Sequence, residues 1–512
     1  MNSSETAGPD RLRDWGWRIV PVLVGAAMVA SNHWFTVVDD ECAIIDRAAQ
    51  PIYQTVRVFL RGSGQHEHPP LYDFFLHAWL QLTGGEMQFL RIPSIIFYVL
   101  GAWTLSKCAK ELGGRKSQIW VLILVVLWPY GFHFGRLATW YSFSFLLVSL
   151  VTLTYLRYVD RPNANNWIWL LICSLALIYT SYFGWAFLAC LTLDFAIRNR
   201  NNPAKWWQPL VGAGAILIAA YLPILAVFLK ELRHGVHGGY SVIAVVLTGI
   251  YDLYCLFVSE SVAPWFWALG VPAGIAICVS ALVTLFGSPL LAKRFLVYFS
   301  LLFVAMTVLG ILDVKRAMLI AAWLILPIGV TLGTLRSQPA RRALIASLAV
   351  VGAVGWFGIF YRGLYAAPHW VEPWESVARQ AAGVVHDGGI VIGNNPSFFF
   401  YLTYILPQEK EGAAAGFSGL LPDSTRRQNV YDPQQWIAAG RPMGPSVLFV
   451  KGLQYDIPAA PTIETEQWLD THCSLTSAQQ LVRDMGAKWK QRFSPATRQV
   501  EWRIRERLYG CR

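Results

Sequence analysis

Long apolar runs recur along the first two thirds of the chain, each closed by a short polar or basic break. The first is Trp15–Phe35. Further runs start near Met87 and end near Ser106, then cover Ile119–Phe132, Trp140–Leu156, Trp167–Tyr179, Tyr182–Ile197 and Trp206–Leu229. Val262–Phe286, Phe295–Leu312, Ala317–Leu332 and Leu344–Tyr361 complete the set. Runs of this length and polarity predict transmembrane helices, about eleven in all. The alternative for Trp15–Phe35 is a cleaved signal peptide, which would strip the following acidic loop of its membrane support. Val242–Val258 is also apolar but short, and it carries Asp252. If it spanned, Lys293 and Arg294 would fall on the outer side, so it is expected to be re-entrant or interfacial.

Two stretches break the pattern. Residues 36–86 form a long first outer loop, with amphipathic helices expected over Asp40–Val58 and Pro70–Leu82 and a turn at Arg61-Gly62-Ser63-Gly64. Phe74, Phe75 and Trp79 suit a membrane interface. From Pro368 the apolar runs stop. Glu375–Val385 has helical spacing, Ile390–Gly393 and Val447–Val450 read as short buried strands, and Val500, Trp502 and Ile504 alternate with polar residues as a strand should. The expected architecture is a polytopic α-helical membrane domain over residues 1–362 and a soluble α/β domain over 363–512.

Composition agrees. Only 14% of the 512 residues are charged, and mean hydropathy is +0.41, where a soluble chain is about one quarter charged. The net charge is +11. Residues 368–512 hold 15 Lys and Arg against 14 Asp and Glu, so the excess belongs to the membrane part. Short basic cytoplasmic loops produce that distribution, and nucleic-acid binding is excluded as its cause. The N-terminus is then cytoplasmic and the tail extracytoplasmic. Arg492, Arg498, Arg503, Arg505 and Arg507 form a basic stripe, read as the solvated side of a strand and its flanks. Six cysteines, Cys42 to Cys278, are scattered without metal spacing and read as apolar fillers. Cys473 and Cys511 stand alone in the tail, where one disulfide is possible on the oxidising side.

The chemistry-bearing residues collect at the outer ends of the spans. The acids are Asp39, Asp40 and Glu41, followed by Glu67; the cations and donors are His68, Arg136, Lys315 and Arg316. Acids at a membrane boundary are costly unless they face water and act. Nucleotide sugars are cytoplasmic, so outer-face glycosyl transfer needs a lipid-borne donor. Its phosphate is a good leaving group, so one carboxylate base with cations to steady the phosphate suffices. The bland readings are that Asp40 caps the loop helix, that Asp39 is solvated, and that Arg136 and Arg316 snorkel. His66-Glu67-His68 and the pair His234 and His237 lack zinc-site spacing, so no metal or cofactor is expected to be required.

These residues resemble those of a known family, the GT-C glycosyltransferases that use polyprenyl-phosphate sugars, in the branch of the protein O-mannosyltransferases and the aminoarabinose transferases. Asp40-Glu41 after the first span resembles the family's acidic pair. His68-Pro69-Pro70-Leu71-Tyr72, Arg91-Ile92-Pro93-Ser94, Arg136 with Trp140-Tyr141-Ser142, Tyr179-Thr180-Ser181-Tyr182-Phe183 and Arg316 through Pro327 are similar to further elements, in order. Ser181 departs from the pattern, since histidine is common there. The resemblance implies a GT-C fold and inverting sugar transfer from a polyprenyl phosphate to a glycan, lipid or protein acceptor. Asp40 would be the base, with Glu41 orienting it or the acceptor. His68, Arg136 and Arg316 would hold the lipid phosphate, and Tyr141 would line the cavity. The expected setting is the outer face of a bacterial inner membrane. The rival readings are a flippase for lipid-linked glycans, disfavoured by the absence of a visible internal repeat, and a non-catalytic scaffold subunit.

Overall fold

The computed structural model describes residues 9–61, 68–201, 203–235, 242–406, 429–453, 460–489 and 500–511, without the side chains of 9–18, 203–206 and 232–235. Glu67, His66, Arg492 and Arg498 lie outside the described residues, as do the side chains of His234 and His237. The chain divides into two compact units. One comprises Met1–Asn32, Pro51–Trp79 and Phe89–Phe360; the other comprises His33–Gln50, Leu80–Gln88 and Tyr361–Arg512.

The described chain is helical as far as Tyr361. In order come α1 (Pro9–Ala30), α2 (Asp39–Ala49), α3 (Ile52–Arg61), α4 (Leu71–Thr83), α5 (Ile92–Leu127), α6 (Pro129–Phe134), α7 (Trp140–Asp160) and α8 (Ala164–Ile178). They continue as α9 (Gly184–Arg198), α10 (Pro203–Tyr221), α11 (Leu225–Gly235), α12 (Val242–Val258), α13 (Trp267–Gly287), α14 (Leu290–Val308), α15 (Met318–Thr334) and α16 (Gln338–Tyr361). Among the described residues, six helices are long and apolar enough to cross a membrane. Shorter apolar helices, including Ile19–Ala30, Ala164–Ile178 and Met318–Thr334, stand before and between them. The protein is a multi-pass membrane protein. The longest apolar stretch, Met87–Leu127, has 41 residues, about twice what one span needs. It breaks at Gly114, whose φ of +75° a residue with a side chain rarely adopts. The break falls in the basic segment that the sequence reading makes an inner loop.

The core of this unit is α15. It carries no charge, and every residue from Met318 to Leu332 is buried. A helix apolar all round belongs inside. It packs on α5 and α7, with Trp323 Nε1 donating to Thr152 Oγ1 at 2.9 Å. Close approach to α5 depends on glycine: a Cβ on Gly333 would lie 2.5 Å from the Ser117 amide nitrogen and 2.7 Å from its Cα. A second tie is Asp194 of α9, whose carboxylate accepts from Arg198 Nε at 2.5 Å, from Arg294 Nη1 and Tyr298 Oη of α14 at 3.0 Å, and from Tyr155 Oη of α7. Among membrane helices a buried carboxylate needs such company.

In the other unit the tail builds α17 (Trp374–His386), β1 (Ile390–Gly393), α18 (Pro396–Ile405), β2 (Val430–Tyr431), α19 (Pro433–Ala438), β3 (Ser446–Gly452), α20 (Ala460–His472), β4 (Ser474–Arg483) and β5 (Trp502–Gly510). The sheet order is β2-β1-β3-β5-β4, parallel across the first three and antiparallel at β5 and β4. One sheet face buries Ile390, Ile392, Val447, Phe449 and Tyr509 against Trp436 of α19 and Leu469 of α20. Ser474 pairs with Gly510, so the residues just beyond, Cys473 and Cys511, meet as a disulfide with Cα atoms 4.6 Å apart.

The basic stripe is corrected here. Arg503, Arg505 and Arg507 are not a solvated face. Arg505 and Arg507 reach Glu466 of α20 at 3.2 and 3.3 Å, Arg507 also binds Asp470, and Arg503 is 8% exposed on Glu372. Burial alone would raise the Glu466 pKa; Lys451, Arg507 and Arg505 outweigh it and hold that carboxyl below its usual range.

Two outcomes test these contacts. Gly333→Val forces α15 away from the α5 backbone and should cost about 1–3 kcal/mol, read as a lower thermal midpoint of the detergent-solubilised protein; an unchanged midpoint would refute the packing. The Cys473–Cys511 link closes a loop with a sequence separation of 38, worth up to about 4 kcal/mol. Cys511→Ser should therefore speed proteolysis within the tail while leaving cleavage elsewhere unchanged.

Candidate functional site

The end of α1 poses a chemical problem. A helix that stops leaves its last carbonyls without intrahelical donors, and where they are buried other protein groups must supply them. Ala27 O accepts from Ser31 N at 3.0 Å and from Ser31 Oγ at 2.7 Å. Two arginines serve Met28 and the residues just past the helix. Arg136, fully buried, donates from Nη1 to Met28 O at 3.2 Å and to Ser31 O and Oγ at 3.0 Å, while its Nε donates to Phe132 O at 3.0 Å. Arg91, 4% exposed, donates from Nη1 to Asn32 O at 3.2 Å. Of His133–Arg136, where a hydropathy reading places an outer turn, His133 and Phe134 close α6 while Gly135 and Arg136 form the turn. Pro129 opens α6, and residues 129–139 are buried throughout.

Around these arginines the family-like elements converge. Leu71 N donates to Tyr179 O at 3.2 Å, joining the His68-Pro69-Pro70 element to Tyr179–Phe183. Tyr72 Oη lies 2.8 Å from Ser94 Oγ, which also reaches Thr139 O at 3.4 Å. Ser142 Oγ donates to Gly135 O at 2.6 Å. The His68 ring lies 4.3 Å from that of Trp140, tilted by 44°, and the Trp140 ring is 4.7 Å from that of Tyr141. Tyr141 is 5% exposed. Ser181 is buried, and its Oγ accepts from Phe183 N at 3.3 Å, a turn-forming role. Lys315 and Arg316 stand in the turn between α14 and α15. Tyr130 Oη of α6 donates to Val314 O at 2.6 Å in that turn. Arg316 donates from Nη1 to Ile311 O at 2.9 Å and pairs with Asp313 at 3.3 Å.

The acidic group belongs to the other unit and opens α2. Glu41 is fully buried, and its Oε2 accepts from Val38 N at 3.2 Å. The capping reading offered for Asp40 is thus taken by Glu41, three residues into the helix, as in half of a capping box. Asp40 is half-buried in the first turn. Asp39 is exposed as a residue, and its Oδ1 accepts from Ser397 Oγ at 3.0 Å. Among the described residues no group of three or more His, Cys, Asp or Glu side chains is arranged to hold a metal ion.

An apolar cavity of about 330 Å³ opens between α7, α8, α9 and α10, lined by residues such as Trp167, Leu171, Trp185, Leu188, Phe195 and Leu217.

The chain was compared with known proteins. Residues 67–229 match the family described as dolichyl-phosphate-mannose-protein mannosyltransferase. Among solved structures, ArnT from Cupriavidus metallidurans bound to undecaprenyl phosphate superposes with a TM-score of 0.55 at 13% identity, covering 96% of this chain and 98% of that one. Its apo form gives 0.54 at 12% identity, covering 97% and 98%. This is the GT-C fold. No curated protein matches the sequence. The structural match runs through both units, and the family match begins at residue 67, just before His68, and ends within α11.

The acids, His68, Arg136 and Arg316 stand out in the sequence by type and order, but what holds them does not. Arg91 was visible only as part of a motif. Ser397, Tyr401 and Glu372 were not visible, because their partners lie more than 330 residues earlier. The capping of α1 also gives Arg136 a structural duty, whatever it does for substrate. Hydrogen bonds from a charged donor are worth about 1.5–3 kcal/mol each. Arg136→Ala should therefore lower the thermal midpoint of the purified protein markedly. A midpoint equal to wild type would mean that Arg136 serves substrate alone.

Proposed function

We propose that the protein is an inverting glycosyltransferase that moves a sugar from a polyprenyl phosphate to an acceptor on the extracytoplasmic face of the membrane. The observation that carries this reading is the convergence of the His68–Tyr72, Arg91–Ser94, Arg136–Ser142 and Tyr179–Phe183 elements into one hydrogen-bonded layer, within the segment that matches the mannosyltransferase family. The undecaprenyl phosphate bound to ArnT supports a donor of that chemistry.

In the proposed reaction the Asp40 carboxylate takes the proton from an acceptor hydroxyl. The hydroxyl oxygen attacks the anomeric carbon, and the bond from that carbon to the phosphate oxygen breaks, inverting the configuration. The polyprenyl phosphate leaves with the electron pair. His68, Arg136, Lys315 and Arg316 supply donors and positive charge for it, and Tyr141, Asp39 and Glu67 belong to the substrate surroundings. The apolar cavity of about 330 Å³ between α7 and α10 suits part of an isoprenoid chain. We assign membrane catalysis to residues 1–362 and place the tail, 363–512, on the periplasmic side of a bacterial inner membrane, in keeping with its disulfide.

Asp40→Asn keeps the shape and removes the base. Loss of a general base costs about 10²–10⁴-fold. Purified wild type offered a panel of labelled polyprenyl-phosphate sugars, with membrane lipopolysaccharide and protein as acceptors, should transfer label, and Asp40→Asn should not. Donor lipid that is bound, or moved across vesicles, without any transfer would reject the reading.

A further inference from the structure

Among the described residues, the segment that carries the acidic turn is bonded by tail residues at four points and by Arg362, just before the tail, at a fifth, all within the second unit. Thr36 N donates to Trp370 O at 3.0 Å, and Thr36 Oγ1 donates to Glu372 O. Val37 N donates to the Tyr401 hydroxyl at 3.0 Å. Ser397 Oγ donates to Asp39 Oδ1 at 3.0 Å. Arg362 Nη2 donates to Trp34 O. The supports are themselves fixed. Ser397 and Tyr401 are 2% and 6% exposed, on the first turns of α18, whose N-terminus Asn395 caps by accepting from Phe398 N at 3.2 Å. Glu372 is 6% exposed, and its carboxylate accepts from Arg503 Nε of β5 at 2.8 Å and from Trp374 Nε1 at 2.7 Å. Burial raises the Glu372 pKa, Arg503 opposes that rise, and the nearby Asp39 charge adds to it.

We infer that the tail is the mount of the acidic turn, and that Ser397 and Tyr401 are positioning residues that set where Asp40 stands. The inference rests on the proposed transferase reaction and goes beyond it by giving the tail a share in the chemical step. Asp40 adjoins Asp39 in the first turn of α2, and the backbone at Val37 and Val38 leads into that turn. A side chain that fixes Asp39 and a hydroxyl that fixes the Val37 amide therefore leave the Asp40 backbone little freedom. Two side chains four residues apart on one helix face suit this task, because residues at that spacing point the same way. A misplacement of about 1 Å in a reacting group costs up to about 100-fold in rate.

The test uses the full-length protein in detergent or nanodiscs. Ser397→Ala and Tyr401→Phe should each lower kcat about 10- to 100-fold with donor KM unchanged, since neither is proposed to touch the donor. Ser397→Thr keeps the hydroxyl and should recover most of the kcat lost in Ser397→Ala. Hydrogen exchange should accelerate at the amides of residues 36–41 in both hydroxyl-deleted variants and not along α15. If wild type is active and Ser397→Ala and Tyr401→Phe match it in kcat and in exchange, the tail is not the mount, and the transferase reading stands. If Ser397→Thr is as slow as Ser397→Ala, or donor KM rises with the fall in kcat, a positioning role for the hydroxyl is likewise refuted. If wild type transfers nothing, the transferase reading fails and takes this inference with it, while Asp40→Asn in the same preparations serves as the inactive reference.

Discussion

One demand ties α1 to two other segments of the first unit: the buried carbonyls at and just past its end need donors. Arg136 meets it with Nη1 on Met28 O and Ser31 O, and Arg91 with Nη1 on Asn32 O. A guanidinium suits this work because its several N–H groups fan out in a plane and keep their charge. Residues 129–139, comprising α6 and the turn after it, are buried, and that turn accepts hydrogen bonds from Ser94 at Thr139 O and from Ser142 at Gly135 O. Arg136 sits on the turn before α7 and Arg91 just before α5, so these bonds tie the end of α1 to the starts of both helices.

The second unit solves a different problem. A short acidic helix of 11 residues is marginal alone. Glu41 closes its first turn, while Cys42, Ile44, Ile45 and Ala48 are buried. Its entry is bonded to α17's leading segment and to α18. The tail gains a buried ion pair, Arg503–Glu372, which is weak evidence of stability but fixes a geometry. Specific placement, more than added stability, is what such a pair supplies here.

Most of the fold could be read from the chain. The helices from α7 to α16 lie close to the apolar runs, because lipid solvation makes composition speak directly. The strands β1 and β3 also lie where burial puts them, and β5 overlaps the expected strand from Trp502 on, although Val500 lies outside it and Arg503 is buried. Other features were hidden for stated reasons. Pro129 breaks the third run into α5 and α6, which a hydropathy window cannot see. The arginines of β5 looked solvated because their partners, Glu466, Asp470 and Glu372, are on other elements. Of the site, the chemistry-bearing side chains stood out by type and order. Their supports did not: Ser397 and Tyr401 are ordinary residues whose meaning comes from partners more than 350 positions away.

That separation has a consequence in time. Ser397 and Tyr401 are made more than 350 residues after the Asp39 and Val37 that they bond. During synthesis those two bonds form only once α18 has emerged from the ribosome. Under the proposed positioning role, a nascent chain that has not yet reached α18 carries its acids without that support.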